Sequence, residues 1–100
     1  MSPNATRLGR GQIYMYYIYI LISNKDHKYY VGYTHNLKLR LEQHKAGKVL
    51  STKSRLPVKL VYYEAFSNKT DALREELFLK TGKGRERLDY LLKETKKRDK

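Results

Sequence analysis

Two runs rich in tyrosine, isoleucine and valine, 14–22 and 29–33, flank the hexapeptide SNKDHK, and that pairing limits the fold more than any other feature of the chain. β-Branched and aromatic residues suit a pleated, half-buried surface, and the polar stretch between them is turn chemistry. The two runs therefore read as an antiparallel hairpin. Five of the seventeen residues from Tyr16 to Gly32 are tyrosines. Either those phenols pack two paired strands, or some of them are reagents.

A chain of 100 residues supports one domain with one modest core. It has no cysteine, which removes disulfides and thiolate metal sites and fits a reducing cytoplasm, the expected location. Twenty-two Lys and Arg against ten Asp and Glu leave a formal charge of +12. A balance so basic points to a polyanion, nucleic acid before an anionic membrane. Excess cations also bind phosphate without sequence preference, so charge alone names no purpose. The apolar run Ile13–Ile22 is too short to span a bilayer. It is tyrosine-rich and lacks a small-residue cleavage pattern after it, so it reads as a strand rather than a signal peptide, and no membrane partner is expected.

Residues 1–12 are Gly-, Pro- and polar-rich and are expected to form a disordered basic tail. A single domain is expected over 13–96, with a frayed basic tail at 97–100. After Gly32 the period changes to helical: Leu37 and Leu41 open a helix over 37–46, with Asn36 as cap and Gly47 as stop. The segment 45–59 holds five cations and no acid and reads as a loop, a candidate phosphate-facing edge. A third strand follows over 58–66, then SNKT supplies caps for a helix over 70–80 that Thr81-Gly82-Lys83-Gly84 breaks. A last helix over 85–96 carries Leu88, Leu91 and Leu92 on one stripe. The order β-β-α-β-α-α is an α+β arrangement with helices packed on a small antiparallel sheet.

Helix geometry, at about 100° per residue, singles out two polar side chains. Arg40 lies between Leu37 and Leu41 on the inward side, with His44 one turn on. Glu76 lies beside Leu73 and Leu77, with Lys80 one turn on, while Glu75 points to the other side. Arg40 and Glu76 satisfying each other would explain both, as would a Glu76–Lys80 pair at i,i+4, a contact of about 0.3–0.5 kcal/mol.

The ordered motifs favour a different explanation. Tyr17-Ile18-Tyr19 is followed by Tyr30-Val31-Gly32, then GYTHNLKLRLEQH with Arg40 eight residues past Gly32 and His44 four further, then STKSRLPVKLVYYEAF and DALREELFLKTG. From Tyr16 to Lys83 the chain resembles the GIY-YIG nuclease superfamily, in particular its small stand-alone bacterial members, related to the amino-terminal nuclease domain of the excinuclease C subunit. The resemblance implies a three-stranded antiparallel sheet flanked by helices and an endonuclease that hydrolyses DNA phosphodiesters with Mg²⁺ or Mn²⁺, in repair or recombination. It also implies that Tyr19 and Tyr30 work at the attacking water, with Tyr19 the principal base. Arg40 then binds the scissile phosphate, His44 assists, and Glu76 holds the metal. Lys53, Arg55 and Lys80 join Arg40 as expected nucleic-acid contacts.

The chemistry suits these residue types. Arginine offers a planar fork of donors to a phosphate whose charge grows in the transition state. One inward carboxylate suits Mg²⁺, which keeps several waters and takes one or two carboxylates besides substrate phosphate. A phenol is a poor base, since at a pKa of about 10 only about one in a thousand is ionised at pH 7, so neighbouring cations or a relay through Tyr30 and His44 must help it. The other tyrosines, Tyr14, Tyr16, Tyr29, Tyr33, Tyr62 and Tyr63, pack or rim the sheet, and an exposed one can stack on a base.

The chain departs from the family pattern in three places. Tyr17 replaces the first glycine, as in other small members; Tyr33 stands where some members carry Lys; and no Asn follows Asn68, although several larger members use a late active-site Asn. The expectation is either that Lys80 or another group substitutes or that catalysis is weak. With fewer than twenty residues after Gly82, no attached DNA-binding domain is expected. The expected substrates are nicked, branched, single-stranded or plain duplex DNA, with loose sequence preference and recruitment by a protein partner or homodimer. The competing class is a basic DNA- or RNA-binding module that keeps the fold without turnover; both classes predict salt-sensitive binding.

Overall fold

The two tyrosine-rich runs pair as a hairpin. Strands β1 (Tyr16–Ser23) and β2 (Tyr29–Thr34) run antiparallel in the computed structural model, which describes residues 14–98. Strand β3 (Val58–Phe66) pairs antiparallel with the other edge of β1, giving the order β2-β1-β3. As the central strand, β1 is buried on both faces from Ile18 to Ser23. That is why its sequence does not alternate polar with apolar residues. The sheet is flanked by α1 (Leu37–Lys45), a short α2 (Leu50–Lys53), α3 (Lys69–Leu79), α4 (Gly82–Leu91) and α5 (Lys93–Arg98).

Because side chains alternate along β1, each face has its own task. Ile18, Ile20 and Ile22 join Tyr29 and Val31 on one face and pack against Ala72 and Leu79 of α3, Leu88 of α4 and Leu92. Each such side chain contributes about 1.5–3 kcal/mol when fully buried. Tyr17, Tyr19 and Leu21 occupy the other face, where Leu41 and His44 of α1 and Leu60 of β3 gather around Leu21.

Caps set the helix starts. The Asn36 side chain accepts from the Leu39 amide at 3.1 Å, and that of Asn68 from Thr70 and Asp71 at 2.8 and 3.2 Å. Thr81 accepts from the Gly84 amide at 3.1 Å, so the Thr-Gly-Lys-Gly segment that ends α3 also begins α4. Gly84 is needed there because a Cβ would overlap the backbone of Phe78 and Leu79.

Several sequence expectations shift. The segment 45–59 contains α2, a four-residue turn too short for periodicity to reveal. The last helix breaks at Leu92 into α4 and α5, burying Leu88 and Leu92 and leaving Leu91 exposed. Helix α3 is rotated from its expected register. Leu77 is 70% exposed and Leu73 lies at the surface, while Ala72 and Leu79 are buried. The small Ala72 lets α3 come close to the sheet, and Glu75 and Glu76 then flank the buried Ala72–Leu79 line on opposite sides. The expected tail at 1–12 lies outside the described residues. Of the expected tail at 97–100, Lys97 and Arg98 belong to α5, and the last two residues lie outside the described ones. No described helix is long and apolar enough to cross a membrane.

Two ionic arrangements hold distant parts of this frame together. Arg55 donates from Nε to Asp26 Oδ2 at 2.8 Å and from Nη2 to the carbonyls of Lys28 and Tyr29 at 3.0 and 3.3 Å. The guanidinium holds the Asp26 carboxyl down at about 2. Arg55 thus clamps the basic segment to the hairpin turn. On the far side of the sheet, Tyr62 donates to Glu64 Oε2 at 2.7 Å, while Glu64 Oε1 is buried and has no hydrogen-bond partner among the described residues. A proton on Glu75 would make that carboxyl a donor to Glu64. Hydrogen bonding to Glu64, then burial, pushes the Glu75 carboxyl up to about 7.

Candidate active site

The site is built on the face of β1 opposite the isoleucines. Tyr19 pairs in register with Gly32, and its ring lies over that glycine so closely that a Cβ there would overlap it. Gly32 therefore makes the room that a buried phenol needs. At 0% exposure, Tyr19 places its hydroxyl 2.7 Å from Nε2 of His44, itself fully buried on α1. The other imidazole nitrogen, Nδ1, lies 2.7 Å from Oγ1 of Thr52 on α2. Thr52 Oγ1 is also 3.5 Å from the Val49 carbonyl, and with its hydrogen assigned to that carbonyl it accepts from Nδ1–H and leaves Nε2 as the acceptor for Tyr19.

Electrostatics keep the ring neutral. Burial, reinforced by the nearby Arg40 charge, lowers the His44 pKa to about 4, so the imidazole is neutral at pH 7. Burial raises the Tyr19 phenol to about 12, opposed by its contact with Arg40. Tyr19 therefore keeps its proton at pH 7 and donates it in the hydrogen bond to His44.

Tyr30 completes the aromatic cluster, its ring 5.2 Å from that of His44 and 6.2 Å from that of Tyr19. It is only half-buried, and Ser51 donates to its hydroxyl at 3.2 Å. Of the two phenols, Tyr30 reaches the surface and Tyr19 does not. Arg40 is half-buried and donates from Nη1 to Gln43 Oε1 at 3.1 Å; it forms no ion pair with a carboxylate among the described residues. With Tyr33 and Gln43 it lines an open cleft of about 330 Å³ between the end of β2 and α1.

The structure brings Tyr19, Tyr30, Arg40 and His44 together and sets Glu76 to one side. Glu76, its side chain 19% exposed, accepts from Lys80 Nζ at 3.1 Å, the i,i+4 pair weighed from the sequence. No hydrogen bond or ion pair joins it to the other four among the described residues. Its charge is felt at Tyr33, which is raised chiefly by burial and lines the Arg40 cleft. Lys53 is exposed at the end of α2, and Lys80 is engaged by Glu76.

This geometry agrees with the comparisons to known proteins. The GIY-YIG catalytic domain family matches residues 15–89. The chain belongs to the GIY-YIG family. It is 45% identical over 77 residues to a UPF0213 protein of Staphylococcus haemolyticus, covering 76% of this chain and 93% of that one. A UPF0213 protein of Pediococcus acidilactici is 42% identical over 79 residues, covering 76% and 80%. The solution NMR structure of a UPF0213 protein from Bacillus halodurans matches with a TM-score of 0.50 at 36% identity, covering 77% of this chain and 84% of that one. The GIY-YIG domain places the chain in a nuclease superfamily and implies contact with nucleic acid; nucleases of this superfamily generally depend on a divalent metal.

Within the GIY-YIG frame, the donors suit a sparsely ligated hard cation. No group of three or more His, Cys, Asp or Glu that could hold a metal is present among the described residues. A single half-buried carboxylate whose partner is a flexible lysine fits Mg²⁺, which takes few protein ligands. Thr52 is the residue of this site that sequence reasoning missed. Nothing in the spacing of a lone threonine in a basic segment marks it as the partner of a histidine on another helix.

Proposed function

We propose that this GIY-YIG protein is a divalent-metal-dependent DNA endonuclease of loose sequence preference, acting on nicked, branched or single-stranded DNA in repair or recombination. The observation that supports it best is the buried Tyr19–His44–Thr52 chain ending beside Arg40, a cation without a carboxylate partner among the described residues. Arg40 binds the scissile phosphate and opposes the charge that grows on it. The attacking water passes its proton to the Tyr30 oxygen while the Tyr30 hydroxyl, which reaches the surface, gives up its own to solvent, and the buried Tyr19–His44–Thr52 chain holds the Tyr30 ring in place. Glu76 would hold the divalent ion, which when bound neutralises charge at the phosphate.

The Lys80 contact to Glu76 supports a second reading, a binding module without turnover. End-labelled nicked, forked, single-stranded and duplex DNA, with an RNA control, separates the two when incubated with Mg²⁺, Mn²⁺ or chelator. Metal-dependent cutting is expected from the wild type and is lost in Tyr19→Phe, Arg40→Ala and Glu76→Ala, while Glu76→Ala still binds. Salt-sensitive binding with no cutting by the wild type would leave the binding module.

A further inference from the structure

The catalytic face of the sheet is covered at only one end. Near Leu21 it meets Leu41 and His44 of α1, but toward the start of β1 it carries Tyr17, Tyr63 and Ala65, with Ala65 exposed. Tyr63 lies on edge strand β3 directly opposite Tyr19 in register, so the two side chains are neighbours on one face. Yet Tyr19 is fully buried and Tyr63 is 50% exposed. The rings of Tyr17 and Tyr63 meet edge-on at 5.9 Å and 63°. Neither hydroxyl has a hydrogen-bond partner among the described residues.

The edge contact with Tyr17 holds the Tyr63 ring in place, and its half-exposed face, without a polar partner among the described residues, stays open to a ligand beside the Tyr19 cluster. We infer that Tyr63, supported by Tyr17, is a stacking platform for one unpaired nucleobase of single-stranded DNA, next to the phosphate held by Arg40. The inference rests on the nuclease reading and narrows its substrate to DNA with unpaired nucleotides at the cleavage point. Three features favour that occupant. The chain carries a net charge of +12, which draws a polyanion; Arg40 on the same side of the molecule has no carboxylate partner among the described residues; and aromatic rings on an open sheet face accept unstacked bases, whereas a paired base presents its face only to its neighbours in the stack. The other strongly exposed tyrosine, Tyr90, lies on α4 with Lys93 over its ring and has no place on this face.

The test is equilibrium binding of the full chain in chelator, read by fluorescence anisotropy of a labelled single-stranded oligonucleotide and of a blunt duplex. Tyr63→Ala is expected to weaken single-strand binding roughly tenfold to a hundredfold and to leave the duplex within about twofold. Tyr63→Phe, which keeps the ring and drops the hydroxyl, is expected to bind like the wild type. Equal loss on both DNAs, no loss on either, or loss in Tyr63→Phe as large as in Tyr63→Ala would each overturn the platform. A wild type that binds neither DNA would overturn the nuclease reading and the platform together. Wild-type binding unaffected by Tyr63→Ala removes the platform alone.

Discussion

The hydroxyl of Tyr19 lies 2.7 Å from Nε2 of His44, and both side chains are fully buried. A histidine so placed has exchanged water for two fixed partners, and the cost of charging it falls on the folded state. With its pKa lowered to about 4, His44 stays neutral while an unfolded chain takes up the proton near 6.5. Its contribution to stability is therefore complete above about pH 6.5 and is lost as the pH falls toward 4, by about 2–3 kcal/mol. The ring-carbon NMR shift of His44 should stay flat from pH 8 to 5. A midpoint near 6.5 would contradict the buried, neutral imidazole.

Thr52 decides which imidazole nitrogen carries the proton. Thr52→Val removes the acceptor for Nδ1–H, and the orphaned donor costs about 1–3 kcal/mol of stability. Turnover should fall about tenfold to a hundredfold with little change in DNA affinity, and the pH–rate profile should move. Thr52→Ser keeps the hydroxyl and should recover most of the rate. A serine variant as impaired as the valine one would show that shape, not the hydrogen bond, is what His44 needs.

Arg55 and Lys53 lie two residues apart in the same basic segment and should respond differently to mutation. Arg55→Ala cuts the clamp to Asp26 and to the carbonyls of Lys28 and Tyr29, so its melting temperature should drop by several degrees. Lys53→Ala should melt like the wild type and show weaker, less salt-dependent DNA binding. Thermal melts beside anisotropy titrations check both; normal stability in Arg55→Ala with a loss of binding would return that arginine to the phosphate.

Glu75 gives a pH dependence of opposite sign to that of His44. Its carboxyl, raised to about 7 by Glu64, favours the folded state when protonated. That stability is fully present below about 4.5 and is lost as the pH rises through 7. Glu75→Gln supplies a permanent donor to Glu64 and should raise stability at pH 8 by about 1–2 kcal/mol, after allowance for its partial exposure, with little change at pH 5. Urea unfolding at the two pH values measures this, and an equal effect at both would remove the proton on Glu75.

What the sequence determined by itself is what short stretches of chain decide locally. Tyrosine and isoleucine around a polar turn make the hairpin, Asn36 and Asn68 cap their helices, and the spacing from Tyr19 through Gly32 and Arg40 to His44 carries the family pattern. Each depends on neighbours within a turn or two, or on fixed separations along the chain. The tertiary structure decided the rest. Only close approach at Ala72 sets the rotation of α3 and sends Glu75 toward Glu64 and Glu76 toward Tyr33. Thr52 becomes the partner of His44, and Arg55 that of Asp26, because packing brings together side chains far apart in sequence. The two chemically similar tyrosines, Tyr19 and Tyr63, differ for the same reason. Paired across two strands, one lies buried in the central strand over a glycine, while the other stands at the open edge of the sheet.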